Sequence, residues 1–124
     1  MIRRTAKRVV VAGCRDFCDY SYARKILDKY LRRLRKKYRI IILSGGARGA
    51  DAPGERYASE NGFAVERYPA DWERFGRSAG PRRNMQMAQA CDYVICFWDG
   101  MSRGTKSMIE YALEFCKPLI INMI

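Results

Sequence analysis

Five short runs of apolar residues alternate along the chain with four stretches whose apolar residues recur every three or four positions. The runs are Arg8–Ala12, Arg39–Leu43, Phe63–Tyr68, Asp92–Trp98 and Pro118–Met123. Each is too short for a packed helix and is bounded by Gly, Pro or polar residues, which predicts buried strands. Between them, residues 20–37 place Ala23, Ile26, Leu27, Tyr30, Leu31 and Leu34 on one stripe, the mark of an amphipathic helix. Further helices are predicted over Asp51–Asn61, stopped by Gly62, over Pro81 to about Ala90, and over Gly104–Cys116. The polar segment Ala70–Gly80 carries no period and is expected to be a long connection.

Strands that alternate with helices need crossover connections, and so imply a mostly parallel sheet covered on both faces. The expected architecture is a single Rossmann-like three-layer α/β/α domain with five strands, spanning residues 8–124 behind a basic tail of residues 1–7. Folds of this kind bind ligands outside the carboxyl ends of their strands. Those ends carry Gly13-Cys14-Arg15-Asp16, Ser44 through Asp51, Pro69-Ala70-Asp71-Trp72 and Asp99 through Thr105.

Composition narrows the class. With 124 residues, 48% of them hydrophobic, the chain has material for one sizeable core. Its apolar runs fall far short of the roughly 20 residues of a membrane span, and the basic N-terminus leads into no secretory apolar region, so a soluble, cytoplasmic protein is expected. Five cysteines without a C-x-x-C pair, and no histidine, argue for reduced thiols packed as small apolar residues; no metal and no cofactor is expected. The absence of histidine also removes every Ser-His or Cys-His catalytic pair. The net charge of +11 is concentrated: residues 1–8 carry +4 and residues 19–39 carry +7, leaving the rest of the chain neutral.

The turn Gly45-Gly46-Ala47-Arg48-Gly49-Ala50-Asp51 joins a strand to a helix, where glycines let backbone N–H groups approach a ligand and the helix dipole favours phosphate. Ser102-Arg103-Gly104-Thr105 is a second such turn, with two hydroxyls, although Thr105 also fits an ordinary helix cap. Neither turn matches a P-loop or the G-x-G-x-x-G fingerprint. Arg15, Asp16, Arg82, Arg83 and Asn84 flank these turns, and the planar fork of arginine suits phosphate, with a surface ion pair as the plainer role. Asp51 and Asp71 suit ribose hydroxyls or activation of water, or else a cap and a turn. Trp72 and Trp98 suit base stacking or rim packing.

Taken in order, Gly13-Cys14-Arg15-Asp16-Phe17, the Gly45–Asp51 turn, Pro69-Ala70-Asp71-Trp72, Ala79-Gly80-Pro81-Arg82-Arg83-Asn84, Phe97-Trp98-Asp99-Gly100 and Ser102-Arg103-Gly104-Thr105 resemble the SLOG superfamily, and within it the small YspA/cpYpsA-related branch. The resemblance implies a nucleotide-derived ligand held by the two Gly turns and the Arg-Asn segment, by a domain that senses or processes such molecules in phage–host conflict. Cys14 departs from the serine common at that position. Hydrolytic relatives carry a glutamate three residues after the threonine of the Gly-Thr turn, where this chain has Met108; Glu110 lies about 200° around the helix from it.

The expected function is therefore binding of a nucleotide or nucleotide-derived ligand through Gly13, Arg15, Asp16, Gly45, Gly46, Arg48, Gly49, Asp51, Trp72, Arg82, Arg83, Asn84, Ser102, Gly104 and Thr105. Two alternatives stand beside it. One is an N-glycosidase or phosphoribohydrolase using Asp51 or Asp71. The other is nucleic-acid binding through the basic tail and first helix, a role that some SLOG relatives have for single-stranded DNA. SLOG relatives often self-associate, which implies a homodimer, and no membrane partner is expected.

Overall fold

A computed structural model describes residues 4–14, 16–46 and 51–124, the side chain of Asp51 excepted. Five strands, β1 (Ala6–Gly13), β2 (Arg39–Ser44), β3 (Ala64–Arg67), β4 (Tyr93–Trp98) and β5 (Leu119–Met123), form one sheet in the order β3-β2-β1-β4-β5. Every pairing is parallel. The helices are α1 (Tyr20–Lys37), α2 (Asp51–Asn61), α3 (Trp72–Phe75), α4 (Ala79–Ala90) and α5 (Arg103–Glu114), with a 3₁₀ turn at Gly76–Ser78. The sheet is Rossmann-like and covered on both faces, as the alternating pattern requires.

Burial on two faces explains the continuous apolar runs. Val9, Val11, Ile40, Ile42, Ile95 and Phe97 point toward Leu27, Leu31 and Tyr57 of α1 and α2. Their neighbours Val10, Ile41, Leu43, Val94 and Cys96 point the other way, toward Met87, Ala88, Met108 and Ile109 of α4 and α5. Helix α2 lies close on β1: a Cβ on Gly54 would stand 2.9 Å from the Cβ of Val11. The lone glycine in α2 is therefore a requirement of packing.

The boundaries of α1 fall where the period predicts. Asp19 caps its start by accepting a hydrogen bond from the Tyr22 N–H at 3.1 Å, and Arg35, Lys36 and Lys37 sit favourably at its negative end. Two expectations are corrected. Strand β1 begins at Ala6, because Ala6 and Lys7 already pair with Arg39 and Ile40. The segment expected to be a plain connection contains α3 and the 3₁₀ turn, and the following helix starts at Ala79, not at Pro81. Proline is at home in that first turn because N–H groups there have no intrahelical acceptor to lose.

The strand order reverses between β1 and β4. Chain progress from β1 runs outward through β2 to β3, then returns to the other side of β1 for β4 and β5. The reversal leaves a crevice at the carboxyl ends of β1 and β4.

Candidate functional site

That crevice has a volume of about 520 Å³ and is open to solvent. Its floor is Ala12 and Gly13 of β1 with Met87 and Met108, and its walls are Trp72, Arg77, Gly80, Pro81, Arg83 and Asn84 on one side and Ser102 through Thr105 and Ser107 on the other. Its size is that of a small-molecule site. Among the described lining residues there are three arginines and no carboxylate.

The loop that delivers the second Gly turn is held by its own short side chain. One oxygen of Asp99 accepts the N–H groups of Ser102 at 2.7 Å and Met101 at 2.8 Å, and these hydrogen bonds keep the Asp99 carboxyl below its ordinary pKa. Gly100 has φ +84°, a conformation that suits glycine. Trp98 donates its indole N–H to the Ser102 carbonyl at 3.1 Å and packs against both core clusters, so it ties this loop to the core. Cys14 is buried beside the loop, between the ends of β1 and β4. Its sulfur accepts the Asp99 N–H at 3.2 Å and lies 3.5 Å from the Phe97 carbonyl, and burial pushes the thiol pKa up.

Ser102 occupies the cap position of α5, but its side chain makes no capping bond; the hydroxyl instead lies 3.4 Å from that of Thr105. Thr105 is thus the third residue of the helix and not its cap. With the Ser102 N–H bonded to Asp99, the N–H groups of Arg103, Gly104 and Thr105, which line the crevice, have no side-chain acceptor among the described residues and lie at the positive end of the helix dipole.

Arg83 and Asn84 tie the two Gly turns together. Arg83 donates from Nη1 to the Gly45 carbonyl at 2.7 Å and from Nε to the Asn84 side-chain oxygen at 3.0 Å. Buried Asn84 passes the connection on, donating from Nδ2 to the Gly104 carbonyl at 3.2 Å and lying 3.4 Å from the Ser107 hydroxyl. A Cβ on Gly45 would collide with the Arg83 guanidinium, so that glycine is needed by the brace itself.

A sequence profile of the YspA, cpYpsA-related SLOG family matches residues 7–75, more than half of the chain. The chain belongs to this family. A relative in sequence is the Gene 61 protein of Mycobacterium phage D29, 35% identical over 120 residues and covering 92% of this chain and 94% of that one. Among solved structures, TM1055 superposes with a TM-score of 0.65 at 25% identity, over 91% of this chain and 72% of its own. DNA processing protein A from Helicobacter pylori, described by its single-stranded DNA binding mode, gives a TM-score of 0.66 at 22% identity over 94% of this chain and 65% of its own. The Moco carrier protein of Chlamydomonas rheinhardtii gives 0.62 at 20% over 96% and 76%. The last two likenesses carry the fold alone.

In this SLOG chain the crevice gathers Gly13, Trp72, Arg83, Asn84, Ser102, Gly104 and Thr105 from the sequence expectation. Others lie around it. Gly46, with φ +72°, turns the chain after β2 while its N–H donates to the Ser44 hydroxyl at 3.1 Å. Asp16 is exposed beyond β1. Arg82 lies over the Phe75 ring at 4.2 Å and donates to the Ser78 hydroxyl at 3.2 Å. Asp71 caps α3, accepting the Arg74 N–H at 3.1 Å. Arg15, Arg48, Gly49 and the side chain of Asp51 lie outside the described residues.

Sequence reasoning passed over Arg77 and Arg103. Arg103 stands between two chosen residues and was within reach of the same argument; Arg77 sits in the segment whose helical turns gave no period. It also passed over Glu55, which accepts the Ser44 hydroxyl at 2.7 Å and pairs with Arg67. Burial works against the Glu55 charge, but the Ser44 hydrogen bond and the Arg67 guanidinium hold its pKa below the ordinary value. The stabilisation this group gives is thus fully present above the unfolded carboxylate range and is lost as pH falls through the lowered folded pKa. Thermal melts from about pH 7 down to about pH 3 are expected to show a destabilisation below about pH 4.5 that is smaller in Glu55→Gln. An identical acid profile in the variant would remove Glu55 from this role.

Proposed function

We propose that this SLOG domain binds a phosphate-bearing nucleotide or nucleotide-derived small molecule in the crevice, as a module that senses or sequesters it. The observation that carries the reading is the chemistry of the wall: Arg77, Arg83 and Arg103 beside the start of α5, where Asp99 engages the Ser102 N–H and, among the described residues, no side chain accepts from Arg103, Gly104 or Thr105. Helix N–H groups and arginine forks favour an anion, and the Asp99 charge is already taken up by the Met101 and Ser102 N–H groups. In this reading phosphate sits at Ser102–Thr105, and exposed Trp72 offers a face to a base at the rim. Gly45, at the end of β2 and held by Arg83, marks the facing side. A phage relative supports a place in phage–host conflict. The fold neighbours named for single-stranded DNA and for Moco support a scaffold that accommodates different ligands.

Hydrolysis of the same ligand needs a group for proton transfer or charge stabilisation. Met108, at the position of the glutamate in hydrolytic relatives, lies on the crevice floor, while Glu110 is exposed and pairs with Lys106 at 3.9 Å. This favours binding over cleavage. The test is to incubate the protein with AMP, ADP-ribose, NAD and cyclic nucleotides, and to analyse bound and free fractions by mass spectrometry. Intact ligand retained by the wild type, and held about tenfold more weakly by Thr105→Val through loss of one hydroxyl contact, is the expected result. Free base or ribose phosphate accumulating with time would make the domain an enzyme and turn attention to Asp51 and Asp71.

A further inference from the structure

The outward face of α1 is of one sign. At 100° per residue, Lys25, Lys29, Arg32 and Lys36 fall within about 60° of arc, opposite the buried Leu27 and Leu31. All four are exposed, and Arg33 extends the same face. The acid nearest the stripe, Asp28, is half-buried, accepts the Tyr57 hydroxyl at 2.6 Å and reaches Arg32 only at 4.0 Å. Helices α2 and α5 mix signs, with Glu55, Arg56 and Glu60 on the one and Arg103, Lys106, Glu110 and Glu114 on the other, and α4 carries only Arg82 and Arg83. A solvated face gains nothing from uniform sign, and like charges four residues apart destabilise a helix.

The fold extends this field beyond what the sequence reveals. Arg4 of the tail donates to the Arg35 carbonyl at 2.8 Å, which brings the tail to the carboxyl end of α1. There Arg4, Arg35 and Arg39 line a shallow basin of about 820 Å³. Arg8 does not contribute, since Glu66 engages it at 3.0 Å. Because α1 runs back against the strands, this basin lies at the opposite end of the sheet from the crevice.

We propose that the α1 stripe and this basin form a second binding surface, for the phosphate backbone of a nucleic acid, independent of sequence. Lys25 to Lys36 span about 17 Å of helix, with cations three or four residues, about one turn, apart, a spacing that suits successive phosphates. Base readout is not expected, since the stripe contains no aromatic residue and the rings in the basin, Tyr38 and Phe63, lie under Lys7 and Arg35. A lipid surface is disfavoured because, among the described residues, the exposed large hydrophobic ones, including Trp72, Met101, Leu113 and Met123, belong to other elements than α1 and offer no apolar wedge beside the cations.

Binding of a fluorescent 20-nucleotide DNA, single-stranded and duplex, is to be measured by anisotropy across salt. With four or five phosphate contacts, duplex affinity should fall roughly 10²–10³-fold between about 50 and 200 mM salt. The variant Lys25→Gln/Lys29→Gln/Arg32→Gln/Lys36→Gln should lose most of that salt slope, with a melting temperature unchanged or raised. Gly104→Val should bind the DNA like wild type, which separates this surface from the crevice. No binding to either DNA form, an unchanged slope in the quadruple variant, loss of binding in Gly104→Val, or equal binding to phosphatidylserine vesicles would each overturn the proposal.

Discussion

Replacing Gly104 with alanine is expected to weaken nucleotide binding by about 10–100-fold, the worth of one charge-assisted hydrogen bond, without lowering the melting temperature. The prediction rests on what the glycine is not needed for. A Cβ at Gly104 would meet nothing within 4 Å, and its φ is not in the left-handed region. It sits in the first turn of α5, where alanine is the better helix former by up to about 1 kcal/mol. Nothing in the described fold demands a glycine there, unlike Gly45 beneath Arg83 or Gly54 against Val11. The empty space over Gly104 belongs to the crevice, where a side chain would hold a phosphate off the helix N–H groups. Gly104→Val should exclude the ligand more completely than alanine. Calorimetric titration with the ligand found by mass spectrometry, paired with thermal melts, checks both halves. Undiminished affinity in the valine variant would place the ligand elsewhere.

Which parts of this site could be read in advance follows from the physics of each segment. Strands covered on both faces leave apolar runs, so β2 and β4 were legible within a residue or two of their ends. Helix α1 was legible because 18 residues repeat its period five times over. Helix α3 is a single turn with no buried residue, set by the Asp71 cap, and one turn cannot display a period. With it went Arg77. The two Gly turns were visible as ligand-facing because glycine and strand ends mark themselves in sequence. What sequence did not carry is the division of labour among their neighbours: of two adjacent arginines, Arg82 rests on Phe75 while Arg83 reaches across to Gly45. Where α4 lies between α3 and the end of β2 decides that.

The same division makes Asn84→Leu the most damaging single change expected in the crevice, costing on the order of 3 kcal/mol of stability and at least tenfold in ligand affinity. Leucine is similar in size, so the loss is chemical. It removes the acceptor of the Arg83 Nε and the donor to the Gly104 carbonyl in a side chain only 7% exposed. Leaving a charged donor without its buried partner costs more than an ordinary hydrogen bond contributes. A fall of about 10 °C in melting temperature corresponds to that cost in a domain of this size. Affinity falls because the bond to Gly104 positions the first turn of α5, and the Arg83 bond to Gly45 positions the facing turn; Asn84 touches both. The two residues therefore act as one unit. Arg83→Lys, which keeps the charge but loses the fork, should weaken the fold in the same direction. A double variant should cost clearly less than the sum of the singles, with a coupling of about 1 kcal/mol or more. Strict additivity would mean that the two Gly turns are held independently, and that the brace does not set the width of the crevice.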